Sequence, residues 1–125
     1  EDYTPKVTGR IEIQPSTWDA VQQGMYNVIY ESSSKRIFRD LEVEIAGKTG
    51  TAQEDKTRGN HAFFISYGPY TNPEICVTTN IPYGYSSANA ASLAKNVYQF
   101  YYGYTELDYI LDHGALGVSN VTIGD

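Results

Sequence analysis

The first half of the chain shows apolar residues recurring at helical spacing. Before this pattern, Ile11 and Ile13 alternate with polar neighbours and predict a short strand. Pro15 marks the predicted start of the helix. Gly24 lies inside the helical pattern, where glycine costs about 1 kcal/mol relative to alanine, so we expect another element to pack closely against it. The predicted buried stripe comprises Trp18, Val21, Met25, Val28 and Ile29.

The polar segment 31–39 predicts a loop. After it, alternation of apolar and polar positions predicts three strands. Only the turn-rich segment 68–73 separates the second strand from the third, and so short a connection favours antiparallel pairing. The alternation covers Leu41, Val43 and Ile45, residues 62–67 and residues 75–81.

A second long helix is predicted to begin at Ser86 or Ser87, with Gly103 just beyond its end. The order of strand, helix, three strands and helix predicts an α+β fold, an antiparallel sheet flanked by helices. The expected buried stripe of the second helix comprises Ala90, Leu93, Ala94, Val97 and Tyr101.

Composition narrows the classes of function. The chain has 125 residues and a formal net charge of −6, which argues against nucleic acid as a partner because phosphate binding needs a basic face. The single cysteine, Cys76, lies between apolar residues and predicts a small buried side chain. His61 and His113 are far apart and lack the spacing of metal ligands, so we expect no metal and no cofactor.

The segment Lys48-Thr49-Gly50-Thr51 carries the most chemical information. A phosphate-binding loop is excluded, because Glu42 occupies the position of its first glycine. On a strand, alternation would place Thr49 and Thr51 on one face and Lys48 on the other. Two hydroxyls can then hold a carboxylate, while Gly50 lets an extended peptide lie against the strand.

This motif and its surroundings closely resemble the C-terminal part of the transpeptidase domain of class B penicillin-binding proteins. The resemblance covers about residues 5–104. It rests on Trp18, Gly24-Met25 and Val28, on Ala46-Gly47-Lys48-Thr49-Gly50-Thr51-Ala52-Gln53, and on Ala62-Phe63-Phe64, Tyr67-Gly68-Pro69 and Asn72-Pro73-Glu74-Ile75.

The resemblance implies a serine-type D,D-transpeptidase of peptidoglycan synthesis that acts on D-Ala-D-Ala stem peptides through an acyl-enzyme and is acylated by penicillins. It implies an extracytoplasmic catalytic domain anchored in the bacterial membrane. Lys48 would supply positive potential and a hydrogen bond to the serine. Thr49, Gly50 and Thr51 would bind the substrate, and the Thr51 N–H would stabilise the oxyanion.

The family's nucleophilic Ser-x-x-Lys and its Ser-x-Asn motif normally precede the Lys-Thr-Gly strand. Ser32 to Lys35 and Ser87 to Asn89 match these letters, but the first lies in a polar segment and the second at a helix start. We therefore expect residues 1–104 to be the C-terminal portion of an incomplete domain, inactive alone, with residues 105–125 as a tail. The missing N-terminal part is the expected partner, and self-association is possible.

Two other classes of function stay open at this point. The first is a related serine protein that senses or hydrolyses β-lactams, which would differ in deacylation. The second is a non-catalytic binding module in which the 12 tyrosines form ligand platforms. The Ala-Gly-Lys-Thr-Gly-Thr-Ala-Gln run favours the transpeptidase over the first class, and an upstream apolar helix carrying Ser-x-x-Lys would argue against the second.

Overall fold

The computed structural model describes residue 4 and residues 6–114. They form the predicted α+β fold, with one antiparallel sheet in the order β1-β2-β3. None of the described helices combines the length and apolar character needed to cross a bilayer. The helices are α1 (Pro15–Tyr30), α2 (Lys35–Phe38), α3 (Ser87–Tyr101) and α4 (Leu107–His113), and the strands are β1 (Ala46–Ala52), β2 (His61–Gly68) and β3 (Ile75–Ile81).

The two later strands confirm the prediction, but β1 begins at Ala46 rather than near Leu41. Val43 and Ile45 are buried, as alternation predicted. The ladder nevertheless starts at Ala46 because its partner is Tyr67, next to the end of β2. Before that pair, the Tyr70 N–H donates to the Glu44 carbonyl at 2.8 Å, and the Ile45 N–H donates to the Tyr30 hydroxyl at 3.1 Å.

Helix α3 packs on one face of the sheet through its smallest residues. Ala90, Ala91 and Ala94 are fully buried, as is Tyr98. Three of the five residues of the predicted stripe are therefore wrong, since Leu93, Val97 and Tyr101 are exposed. Alanines allow the helix backbone to approach the sheet closely, and Tyr98 is the largest fully buried side chain in the described core. The predicted helix ends are confirmed, because the Ser86 side chain accepts from the Ala88 N–H and Gly103 has φ of +70°.

Tyr98 fastens α3 to the centre of the sheet. Its hydroxyl donates to Ser66 Oγ at 3.0 Å, and Ser66 Oγ donates to the Val77 carbonyl at 3.3 Å. Burial raises the pKa of Tyr98 to about 12. The phenol therefore stays a neutral hydrogen-bond donor throughout the physiological range.

Two segments differ from their local sequence patterns, because their structure depends on residues distant in the sequence. The segment predicted as a loop contains α2, where buried Phe38 stacks on Phe64 with ring centroids 5.6 Å apart. Ile11 and Ile13 form no strand, because no described strand lies beside them, and both side chains are exposed.

Helix α1 contacts β1 and α2, and its buried residue, Ile29, lies near its C-terminal end. The predicted stripe fails in the N-terminal part: Trp18 is 45% and Val21 48% exposed. A Cβ added at Gly24 would have no neighbouring atom within 4 Å. The close packing predicted at this glycine is thus absent from the described structure.

Gly24, which has open space around it, and Gly47, which does not, give a matched pair of stability predictions. Gly24→Ala should raise the free energy of unfolding by about 1 kcal/mol, the helix-propensity difference. Gly47→Ala should lower it by roughly 1–3 kcal/mol, because a Cβ on this strand glycine would lie 2.6 Å from Phe64 Cζ and 2.9 Å from the Ile65 carbonyl oxygen. Chemical denaturation of both variants measures the two changes, and a destabilised Gly24→Ala would contradict the account.

Candidate active site

Strand β1 carries the Lys-Thr-Gly motif and pairs with β2 on one side only among the described strands. Lys48 pairs with Ile65, while Thr49 and Thr51 pair with Phe64 and Ala62. Phe64 and Ala62 are fully buried in the core, whereas Ile65 is 47% exposed. The expected separation is confirmed: the two threonines share one face of the strand and Lys48 lies on the other.

Thr51 holds a hydroxyl that no described residue satisfies. Its Oγ1 is buried and has no hydrogen-bond partner, and the same is true of Asn60 Oδ1 nearby in the sequence. Buried polar atoms are normally paired in folded proteins, so an orphan calls for an explanation. A ligand or a further protein segment at this end of β1 would supply the missing partner.

Thr49 lies in the wall of a cleft of about 620 Å³. Arg36 is the only ionisable side chain among its described lining residues, and the hydroxyl groups there come from the segment after α1, from β1 and from the start of α3. A carboxylate would find hydroxyl donors and one positive charge in this cleft. The lining comprises Val28, Ser32, Ser33, Ser34, Arg36, Ile37, Thr49, Ser86, Ser87 and Ala88.

Lys48 is exposed, and its Nζ donates to the carbonyl of the adjacent Thr49 at 2.7 Å. This bond stays within the strand and ties the side chain to no other described element. The ammonium group is therefore available to a partner that approaches this face of β1.

Gly50 is not required by the packing of the described residues. An added Cβ would come no closer than 3.4 Å, to Phe63 Cβ, which is ordinary van der Waals contact. Its φ also lies outside the left-handed region that favours glycine. A glycine here is instead useful to a ligand whose backbone lies against the strand.

Side chains in the two local matches to the family's serine motifs hydrogen-bond to nearby backbone carbonyls. Ser32 follows the end of α1, and its hydroxyl donates to the Val28 carbonyl. Lys35 begins α2 and is exposed. In the second match, Asn89 donates through its side chain to the Gly84 carbonyl at 2.8 Å. Ser32 and Asn89 thus take part in local backbone structure.

A cluster that sequence reasoning missed lies at the Ala52 end of β1. His61, paired with Ala52, has its Nε2 3.1 Å from Glu54 Oε2, and the Tyr83 hydroxyl donates to the same oxygen at 3.1 Å. These hydrogen bonds, first from His61 and then from Tyr83, hold the pKa of Glu54 below its usual value. The side chain of His61 is only 22% exposed.

Cys76 corrects another prediction. It is exposed rather than buried, because Val77 and Thr79 face the core and alternation turns Cys76 to the opposite side of β3.

No group of three or more potential metal-ligating side chains occurs in the described residues.

An antiparallel sheet with Lys-Thr-Gly on its edge strand and a helix across one face defines a candidate acyl-transfer domain. Residues 2–99 match the penicillin binding protein transpeptidase domain, and the chain belongs to this family. It is 35% identical over 115 residues to the peptidoglycan D,D-transpeptidase MrdA of Haemophilus influenzae, covering 78% of this chain and 16% of that protein. It is 28% identical over 113 residues to penicillin-binding protein 2B of Streptococcus pneumoniae, covering 83% and 17%.

Solved structures show the same fold. Pseudomonas aeruginosa PBP2 in complex with WCK 5153 superposes with a TM-score of 0.64 at 26% identity, over 90% of this chain and 24% of that one. Penicillin-binding protein A from Mycobacterium tuberculosis, solved as an imipenem acyl-enzyme complex, gives 0.58 at 24% identity, over 74% and 20%. The chain spans about a sixth of the length of the curated relatives it matches.

Proposed function

We propose that this chain forms the Lys-Thr-Gly side of the active site of a peptidoglycan D,D-transpeptidase, and that the nucleophilic serine comes from another part of the domain. The observation that carries the proposal is the buried, unpartnered hydroxyl of Thr51 on the same face of β1 as Thr49. Membership of the transpeptidase family supports it.

The geometry suggests how an extended stem peptide would bind. Because β1 has a strand partner on one side only among the described residues, its free edge can pair with a peptide backbone. Gly50 leaves room for that backbone. The terminal carboxylate of D-Ala-D-Ala would accept hydrogen bonds from the hydroxyls of Thr49 and Thr51, which fixes the scissile bond along the strand.

Acylation then follows from these positions. The serine Oγ attacks the carbonyl carbon of the penultimate D-alanine, and its proton passes to the nitrogen of the departing terminal D-alanine. The Thr51 N–H would stabilise the oxyanion that forms in between. Lys48, on the opposite face, would hold positive potential near the serine. A β-lactam would enter the same site, its carboxylate replacing that of the stem peptide.

The remaining partners and the location belong to this proposal as well. The exposed N-terminal part of α1, with Trp18 and Val21, offers apolar surface to the missing part of the domain or to a second copy of the chain. The parent protein would be anchored in the bacterial membrane with this domain outside the cytoplasm. Residues 105–125, which include α4, would be a tail beyond the catalytic domain.

The isolated chain is expected to form no covalent adduct with a fluorescent penicillin, because its described residues provide no activated serine. Incubation followed by a denaturing gel checks this, and the complete domain, labelled at its own serine, is the positive control. A labelled band at 13.9 kDa that disappears in Ser32→Ala would show that Ser32 is the nucleophile and would contradict the proposal. An unlabelled complete domain would contradict it as well.

A further inference from the structure

His61 connects the β1–β2 hairpin to a turn that is distant in the sequence. It begins β2 and pairs with the last residue of β1. Its Nε2 lies 3.1 Å from Glu54 Oε2 in the β1–β2 loop. Its Nδ1 accepts a hydrogen bond from the Tyr83 backbone N–H at 3.2 Å. The Tyr83 ring lies 4.7 Å from the imidazole ring. One side chain thus connects the loop after the motif to the turn before α3.

The partners of His61 determine which nitrogen carries the proton. The Tyr83 backbone N–H can only donate, so Nδ1 must be the unprotonated, accepting nitrogen. Nε2 then carries the hydrogen and donates it to the Glu54 carboxylate. Arg58 completes the cluster, because its Nη1 donates to the Tyr83 hydroxyl at 3.0 Å.

The turn that His61 holds adopts an unfavourable backbone conformation. Tyr83 and Tyr85 have φ of +53° and +66°, a region that costs energy for residues other than glycine. Such a turn persists only where surrounding contacts fix it. The Tyr85 N–H donates to the Asn60 carbonyl at 2.9 Å, and the Tyr83 N–H has His61 as its acceptor.

This turn lies directly against the motif strand's neighbour. A Cβ on Gly84 would come within 2.9 Å of Ala62 Cβ, so the turn backbone packs on Ala62. Ala62 is the strand partner of Thr51. A shift of the turn would therefore reach Thr51 through a single intervening residue.

We propose that His61, as the Nε2–H tautomer, is a positioning residue that locks the 82–85 turn and the β1–β2 loop together and so fixes the Thr51 end of the substrate strand. Its influence on acylation rests on the proposed function. The tautomer and the lock do not rest on it.

The chain contains a built-in reference for the tautomer. His113, the other histidine, has its Nδ1 3.0 Å from the Tyr109 carbonyl, which can only accept, so its proton must lie on Nδ1. Long-range ¹H–¹⁵N correlation spectra at pH 8.5, where free imidazole is neutral, should show opposite tautomers for the two residues. An Nδ1–H tautomer at His61 would overturn the proposal.

Two substitutions separate the two bonds of the imidazole. His61→Asn retains an acceptor near the Nδ1 position, whereas His61→Gln retains a donor near Nε2 and loses the acceptor for Tyr83. Amide exchange at Tyr83 should quicken roughly three- to tenfold in His61→Gln, the range that one lost hydrogen bond produces, and should stay near wild type in His61→Asn. Tyr83→Phe, which keeps the N–H, is the matched control and should also retain slow exchange.

The same variants in the complete domain test the link to Thr51. Penicillin acylation should slow by a similar factor in His61→Gln and be largely rescued in His61→Asn. Equal acylation rates in His61→Gln and wild type would overturn the positioning role while leaving the proposed function intact. A wild-type domain that is not acylated would instead contradict the proposed function, with the tautomer and exchange results still deciding whether the lock exists.

Discussion

In the complete transpeptidase domain, Lys48→Ala should slow acylation by a fluorescent penicillin by roughly 10²–10³-fold, the loss expected when one preorganised electrostatic group is removed. Lys48 would stabilise negative charge that develops along the path of the serine proton, so its effect belongs to the transition state. Stopped-flow measurement of the acylation rate constant checks this result.

Folding should not explain the loss. The lysine is exposed, and its Nζ bonds only to the neighbouring Thr49 carbonyl in the described structure, so the free energy of unfolding should change by less than about 0.5 kcal/mol. Lys35→Ala is the matched control, since Lys35 is equally exposed and completes the misleading Ser-x-x-Lys match. Slow acylation in Lys35→Ala together with normal acylation in Lys48→Ala would show that the wrong lysine has been assigned.

The second large effect is expected from the main chain of Thr51. Replacing the amide that links Gly50 to Thr51 by an ester removes the N–H and keeps the side chain. If this N–H stabilises the oxyanion, acylation should fall by roughly 10²–10³-fold. Alternate N–H groups of an edge strand point away from its single partner, which makes such a donor available at β1.

Thr51→Ala is the complementary variant, because it keeps the N–H and removes the buried hydroxyl. A hydrogen bond to a charged carboxylate contributes about 1.5–3 kcal/mol, so this variant should mainly weaken binding of the carboxylate. Measuring the acylation rate against penicillin concentration separates the two effects. An ester variant that acylates as fast as the parent would exclude Thr51 as the oxyanion donor.

Much of the sheet could be predicted from local patterns. The strands at residues 61–68 and 75–81 alternate regularly and flank a dense turn, so their antiparallel pairing followed from the sequence. The same rule should have turned Cys76 outward, since Val77 faces the core. The buried face of α3 was harder to predict, because hydrophobicity favours Leu93 and Val97 whereas close approach to the sheet favours alanine.

In the candidate site too, some features follow from local sequence patterns and others depend on contacts between distant residues. The opposite faces of Lys48 and Thr49 follow from strand alternation alone and are confirmed. The contact between His61 and Tyr83 joins residues 22 positions apart. It depends on a turn with positive φ at two tyrosines, which no local propensity predicts. The serine-lined cleft likewise forms only when α2 and the start of α3 come together on the sheet.

The fit of Gly47 against Phe64 has a consequence for how this segment can vary during evolution. The observed pairing of β1 with β2 leaves no room for a side chain at Gly47. Gaining or losing one residue between Lys48 and Thr49 would exchange the faces of every residue beyond the change, which would bring the threonines to the lysine's side. The length of this segment is therefore physically constrained in addition to the identities of its residues.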